Sequence, residues 1–274
     1  MMKDAATSGT AMPKGAEAVR RLIRQGIHLG HTAGLAQGML QANLVVLPES
    51  HALDFLRYCQ RNPKPCPLVG VTDTGDPYFR SLGTDIDIRT DVPAYNIYRD
   101  GRYHESCSNL IDHWQNDFVA FALGCSFTFE RALTTAGIPL DHIETNRTVA
   151  MYRTSIETRP AGPFSGGMVV SMRPIESDRV ADAVSISKNY PLAHGAPIHV
   201  GDPEAIGIAD LDAPEWGDRP LNHVGRTPVF WACGVTPQNA IRQAKPPICI
   251  THKPGCMLIT DVDAFAETPF VPNA

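Results

Sequence analysis

PVFWACGVTPQ, residues 228–238, is an apolar run that halts at a cysteine and a glycine and restarts on residues that open helices. Aromatic and β-branched side chains over 228–232 predict a buried strand. Thr236 is expected to cap the helix that follows, with Pro237 at its first position, where a missing N–H costs nothing. Cys233 then stands at a strand end facing a helix start, a place where folded enzymes usually keep their chemistry.

Five further blocks share this make-up: GCSFTFE (124–130), TNRTVAMYRT (145–154), GPFSGGMVVSMRP (162–174), HGAPIHVGDPEAIGI (194–208) and THKPGCMLITD (251–261). Each reads as a buried strand ending in a tight polar turn. Short strands are predicted near 147–152, 168–172, 197–200, 228–232, 248–251 and 257–260, with helices near 128–136, 176–188 and 236–244 between them. This alternation predicts an α/β fold of layered helices and a partly mixed sheet. Upstream, Val19, Leu22, Ile23 and Ile27 recur at helical spacing, and so do Ala52, Phe55, Leu56 and Cys59 until the prolines at 63, 65 and 67 end the run. PLVGVTD (67–73) reads as a strand, AYNIYRDGRYHE (94–105) as a hairpin turning at Asp100-Gly101, and Leu110 to Phe121 as one helix face. No Gly/Ser-rich linker divides the chain. The expected organisation is a tail at 1–13, a single catalytic unit of two intertwined lobes over 14–264, and a tail at 265–274.

With 274 residues, 43% hydrophobic and 19% charged, the chain can bury a large core. A net charge of -5 with scattered Lys and Arg gives no basic field for a phosphate backbone, so nucleic acid is not expected as a partner. No apolar stretch has the length of a membrane span and the N-terminus lacks the apolar core of a secretory signal, so a cytoplasmic protein without a membrane partner is expected. Seven cysteines without a CxxC pair or framework spacing read as reduced thiols.

The chain contains no GxGxxG opening a helix, no GxxxxGK[ST], no GxSxG and no HExxH, which removes support for dinucleotide, P-loop, α/β-hydrolase and zincin chemistry. What remains are candidates of other kinds. Cys125 and Cys233 precede helical runs whose partial positive charge favours a thiolate, and two such thiols on opposite sides of a carbon would suit a racemase. Arg147, Arg153 and Arg173 interrupt apolar blocks, where a guanidinium needs an anion: a substrate carboxylate or an internal Asp or Glu. His199 and Asp202 are candidates for acid–base work. His194, His199, His252 and Cys256 would supply metal ligands if their two blocks met, which leaves room for a divalent metal.

The blocks HTAGLAQGMLQANLVVLP (31–48), FLRYCQRNPKPCPLV (55–69), DIDIRTDVPAY (85–95), GCSFTFE, HGAPIHVGDPEAIGI, PVFWACGVTPQ and PGCMLITD (254–261) resemble the D-glutamate cyclase-like family of bacterial hydro-lyases. The resemblance runs from about Arg21 to Asp261. It departs from the family's usual pattern at Cys256, where a histidine is usual (PGHM), and at Ala36-Gln37-Gly38-Met39 (usually APGY). The resemblance implies two intertwined α/β parts and a lyase of amino-acid metabolism that eliminates water from a small carboxylic or amino acid. For D-glutamate the product is 5-oxo-D-proline. Such a ring closure needs a folded substrate, a base and an acid, so no organic cofactor is expected. A homo-oligomer is compatible with this picture. An amino-acid racemase using Cys125 and Cys233, or a non-catalytic sensor of small carboxylates, are the alternatives.

Overall fold

A ten-residue strand, β1 (Met39–Pro48), runs through the middle of the protein in the computed structural model, which describes residues 15–32, 34–145 and 147–269. Nearly all of it is buried, because both faces are covered: Leu44 and Val46 pack into one cluster with Phe79, Ile97 and Leu258, whereas Val45 and Leu47 pack on the other side against Phe55, Phe121 and Phe164. Such a strand shows a continuous apolar run rather than alternation. The residues expected to form a tail at 1–13 lie outside the described residues, as do 270–274.

Before β1 lies helix α1 (Ala16–Arg24), and after it α2 (Glu49–Arg61). Then come β2 (Leu68–Val71), the hairpin β3 (Tyr95–Arg99) and β4 (Arg102–Cys107), β5 (Phe118–Gly124), and the helices α3 (Phe127–Thr135) and α4 (Asp141–Glu144). The middle of the chain gives β6 (Met151–Glu157), β7 (Gly167–Ile175), α5 (Val180–Lys188), β8 (His199–Val200) and β9 (Thr227–Ala232). The last elements are α6 (Val235–Ala244), β10 (Cys249–His252) and β11 (Leu258–Asp263).

These strands make two sheets. The first has the order β2-β5-β1-β10-β3-β4, with β11 also paired to β1, and the second has the order β6-β7-β9-β8. The chain of the second sheet is thus inserted between two parts of the first. The expected α/β fold of layered helices and strands is present, but all strand pairings among the described residues are antiparallel, which corrects the expected mixed sheet. The reason lies in the connections: α3 follows β5 and begins the passage from the first sheet to the second, and α6 carries the chain from β9 back to β10. The helices that stay within one sheet, α2 and α5, lead to the strand next but one, so no parallel pair forms among the described residues.

Each of these two helices packs on the sheet that it did not leave. Phe129 and Leu133 of α3 sit with Val229 and Trp231 of the second sheet, and Ala240 and Ile241 of α6 sit with Val45, Leu47 and Cys249 of the first. The exchange fastens the sheets together through apolar burial, worth roughly 1.5–3 kcal/mol for each large side chain.

Other expectations meet local differences. Residues 110–117 form turns and 118–124 a strand, not one helix, because pairing of Phe118–Gly124 with β1 buries the apolar run on both faces. The hairpin turns at Asp100-Gly101 as read, with φ of 48° and 75°, values that Asp tolerates and Gly adopts freely. Helix α6 starts at Val235 with Gly234 before it, two residues ahead of the Pro237 read as its first position. Thr236 lies inside that helix, and its hydroxyl serves β7 instead of a cap.

Candidate active site

Two strand–turn–helix corners, one from each sheet, repeat the same bonds. At the first, the N–H of Cys125 donates to Gln41 O at 3.0 Å, and the N–H of Gln41 donates to Thr128 Oγ1 at 3.3 Å. At the second, the N–H of Cys233 donates to Val169 O at 3.0 Å, and the N–H of Val169 donates to Thr236 Oγ1 at 2.9 Å. In register, Gly124 faces Ala42 and Ala232 faces Val170. The corners are therefore related as two copies of one unit. In each, the sulfur stands at the N-terminus of a helix, and the N–H two residues on, of Phe127 or Val235, favours its thiolate.

The copies interlock. Asn43 of β1 donates its Nδ2 to Leu123 O and Gly124 O at 3.3 and 3.2 Å, and that nitrogen would lie 2.6 Å from a Cβ placed on Gly234. In the opposite sense, Arg173 of β7 reaches across to Ser126 Oγ at 3.2 Å. Counting outward from each corner, Arg173 occupies the place of Val45, Ser171 that of Asn43, and Glu130 that of Gln238. The polar chemistry of the site resides in these departures from the repeat.

Arg173 is fully buried. Its guanidinium lies 5.2 Å from the ring centre of Trp231 and 5.4 Å from that of Phe129, donates to Ser171 Oγ at 3.0 Å, and forms an ion pair with Glu130. Glu130 also meets His142 Nε2 at 3.1 Å. Burial by itself would raise the Glu130 carboxyl, but the Arg173 charge and His142 outweigh it and hold the group down at about 2. Among the described residues Arg173 Nε and Trp231 Nε1 are buried donors without a partner. Burial pushes the Cys125 thiol up to about 12 and the Cys233 thiol up to about 11, the helix N–H groups and Arg173 offsetting part of the rise in both.

A cleft of about 450 Å³ opens beside the second corner, between the β3–β4 hairpin and α6. Val235, whose N–H serves Cys233, lines it together with Trp216, Asn239 and Thr251, and two arginines, Arg102 and Arg242, stand in its wall. Neither arginine forms an ion pair among the described residues. Cys233 is the more open of the two thiols, half-buried where Cys125 is buried, and its sulfur lies 3.5 Å from Met151 Sδ.

Of the residues singled out from sequence, the structure brings Cys125, Cys233 and Arg173 together. Arg173 has an internal carboxylate, Glu130, as its partner. Arg147 lies on the outer side of the network, its side chain donating to Arg219 O at 3.3 Å, and Arg153 stacks on Trp216 at 5.1 Å. His199 and Asp202 sit at the far edge of the second sheet, where His199 Nε2 bonds to the Asp202 carbonyl at 2.7 Å and the Asp202 carboxylate caps a short turn. The four residues considered as metal ligands do not form one cluster. His194 bonds to Lys64 O at 2.8 Å, His252 Nδ1 accepts the N–H of Leu44 at 3.1 Å, Cys256 Sγ lies 3.7 Å from Gly30 O, and no group of three or more His, Cys, Asp or Glu poised for a metal ion occurs among the described residues. Sequence reasoning missed Asn43, Ser126, Ser171, Glu130, His142, Arg102 and Arg242. One signal was present: Gly-Cys-Ser-Phe-Thr at 124–128 and Ala-Cys-Gly-Val-Thr at 232–236 are two versions of one corner.

The sequence profile of the D-glutamate cyclase family matches residues 119–261, a segment that begins in β5 and contains both corners. Curated bacterial proteins are similar along almost the whole chain. A protein of Dinoroseobacter shibae named "Putative hydro-lyase" is 64% identical over 92% of this chain and 84% of its own. One of Ruegeria pomeroyi with the same designation is 61% identical over 93% of each. A third, from Rubrobacter xylanophilus, is 56% identical over 90% of this chain and 95% of its own. Among the described residues no helix is long and apolar enough to cross a membrane.

Proposed function

Because the chain belongs to the D-glutamate cyclase family, we propose that it is a hydro-lyase acting on a small amino acid, and that D-glutamate, closing to 5-oxo-D-proline and water, is its substrate. The observation that carries this reading is the pair of helix-opening thiols at one centre, beside a cleft that presents two unpaired arginines.

D-Glutamate has two carboxylates and one ammonium. In the proposed complex Arg102 and Arg242 grip the carboxylates, planar guanidinium groups being suited to two parallel bonds with each. A folded substrate then holds its amine against the γ-carboxyl carbon, which converts ring closure into a unimolecular step. One thiol, as thiolate, takes a proton from the ammonium. The amine nitrogen attacks the γ-carbon, the other thiol protonates one γ-oxygen, and the second nitrogen proton passes to that same oxygen as its bond to carbon breaks, so that nitrogen–carbon bond formation is balanced by loss of water. Afterwards the two sulfurs have exchanged protonation states, and a repeated corner lets either one serve as base in the next turn. These steps transfer protons only and require no organic cofactor.

The test is chromatographic. Purified protein with D-glutamate is expected to form 5-oxoproline faster than the protein-free solution, and Cys233→Ser is expected to reduce that rate at least 100-fold. Equal rates with and without wild-type protein would overturn the reading.

A further inference from the structure

We propose that Cys125 and Cys233 also exchange the α-proton of a bound amino acid from opposite faces, inverting its configuration. The inference rests on placing the active site at the two corners, but it asks for a different bond to be broken than the ring closure does.

Inversion at a tetrahedral carbon by two-base proton transfer uses acid–base groups that approach from opposite sides, each acting as base in one direction and as acid in the other, a demand that two like groups meet equally well in both directions. The repeated corner supplies such equivalence. Each sulfur follows a strand end, receives the N–H two residues on, and sits over the first turn of a helix of nine or ten residues. The corners come from different sheets and meet through Asn43 against Gly234 and Arg173 against Ser126. The two corners are thus in contact, and the two thiols lie near enough for Cys233 to act electrostatically on Cys125.

The second observation is the unpaired donor of Arg173. Its Nε is buried without a partner, in a residue 1% exposed, while its other nitrogens are bound to Ser171, Ser126 and Glu130. When the α C–H bond breaks, its electron pair is delocalised into the adjacent carboxylate, whose oxygens gain charge. A buried, immobile guanidinium and two helix N-termini provide a preorganised positive environment for that charge. The balance is closed: one thiolate gains the α-proton, the electron pair returns to the carbon by taking the proton of the other thiol, and the pair ends with the charge on the second sulfur. No oxidant or further reactant takes part.

The experiment is incubation of the wild-type protein in deuterium oxide with D-glutamate, and separately with L-glutamate, D-aspartate and D-alanine, followed by mass spectrometry and chiral chromatography. At least one of these is expected to gain a single deuterium at the α-carbon together with the opposite configuration. Cys125→Ser and Cys233→Ser, checked for folding by circular dichroism, are each expected to slow inversion at least 100-fold. Appearance of 5-oxo-D-proline with the α-proton fully retained and no inversion in any of the four would overturn the inference while leaving the lyase reading in place. Deuterium entry with inversion but without 5-oxoproline would support the inference and remove D-glutamate cyclisation. Absence of deuterium from all four overturns the inference whatever else forms.

Discussion

Glu130 and Arg173, the first carried by a helix that leaves one sheet and the second by a strand of the other, form an ion pair with almost no contact with solvent. The pair is a lock between the sheets as well as a part of the site. Glu130→Gln leaves a buried guanidinium uncompensated and is expected to lower unfolding free energy by about 3–5 kcal/mol. The double variant Glu130→Gln/Arg173→Met should recover part of that loss. Urea denaturation of both proteins checks the sign, and a double variant less stable than the single one would contradict it.

Acid should weaken the fold in two stages. Burial lowers His194 and His252 from 6.5 to about 4, so each is neutral when folded at a pH where the unfolded chain is already protonated. The stability that each contributes is present above pH 6.5 and is lost as pH falls toward 4, roughly 3 kcal/mol per histidine at the limit. Glu130, lowered from 4.5 to about 2, adds a second loss between those values. His252→Asn keeps an acceptor for the Leu44 N–H and is expected to flatten the first stage by one proton. Identical slopes of unfolding free energy against pH in variant and wild type would refute the assignment.

Gly124 has no room for a side chain: a Cβ there would lie 1.6 Å from the carbonyl oxygen of Leu192. Backbone cannot swing aside as a flexible side chain can. Gly124→Ala is expected to cost about 3 kcal/mol or more, above the usual range for overpacking, and to distort the Cys125 corner. A melting temperature within a degree or two of wild type would show that the contact yields.

Arg242→Met and Arg102→Met are each expected to weaken D-glutamate binding by about 1.5–3 kcal/mol, the size of a charge-assisted hydrogen bond. Arg147→Lys, outside the cleft, should leave it unchanged. Titration calorimetry on Cys233→Ser, which stops turnover in the proposed mechanism, measures binding alone. Equal affinities across all three arginine variants would remove the cleft from the site.

The sequence was legible where a local pattern decides the outcome. Cys125, Cys233 and Arg173 interrupt apolar runs and were found by that interruption, and Asp100-Gly101 announces its hairpin. It was not legible where the deciding partner is remote. Strand β1 shows no alternation because both its faces are buried, and the 110–121 segment fits a helix until β1 offers a ladder to its second half. Glu130 gave no sign of facing Arg173, since only the exchange of helices between the sheets brings them together. Arg102 and Arg242 look like ordinary solvated charges until hairpin and α6 close a wall around them. His199 and Asp202 stood out for their glycine- and proline-rich surroundings, which in this protein mark an edge turn.

Strand β1 has a consequence for how the chain matures. One of its edges is completed early by β5, but the other is covered only by β10 and β11, residues 249–263. While the polypeptide is being synthesised, an open ladder edge in the middle of the first sheet must wait for the whole second sheet to be made. Such an edge is a template for pairing with other chains. A nascent or C-terminally clipped chain ending before Cys249 should therefore self-associate into insoluble β-rich material, and the second sheet's rate of folding sets how long that hazard lasts.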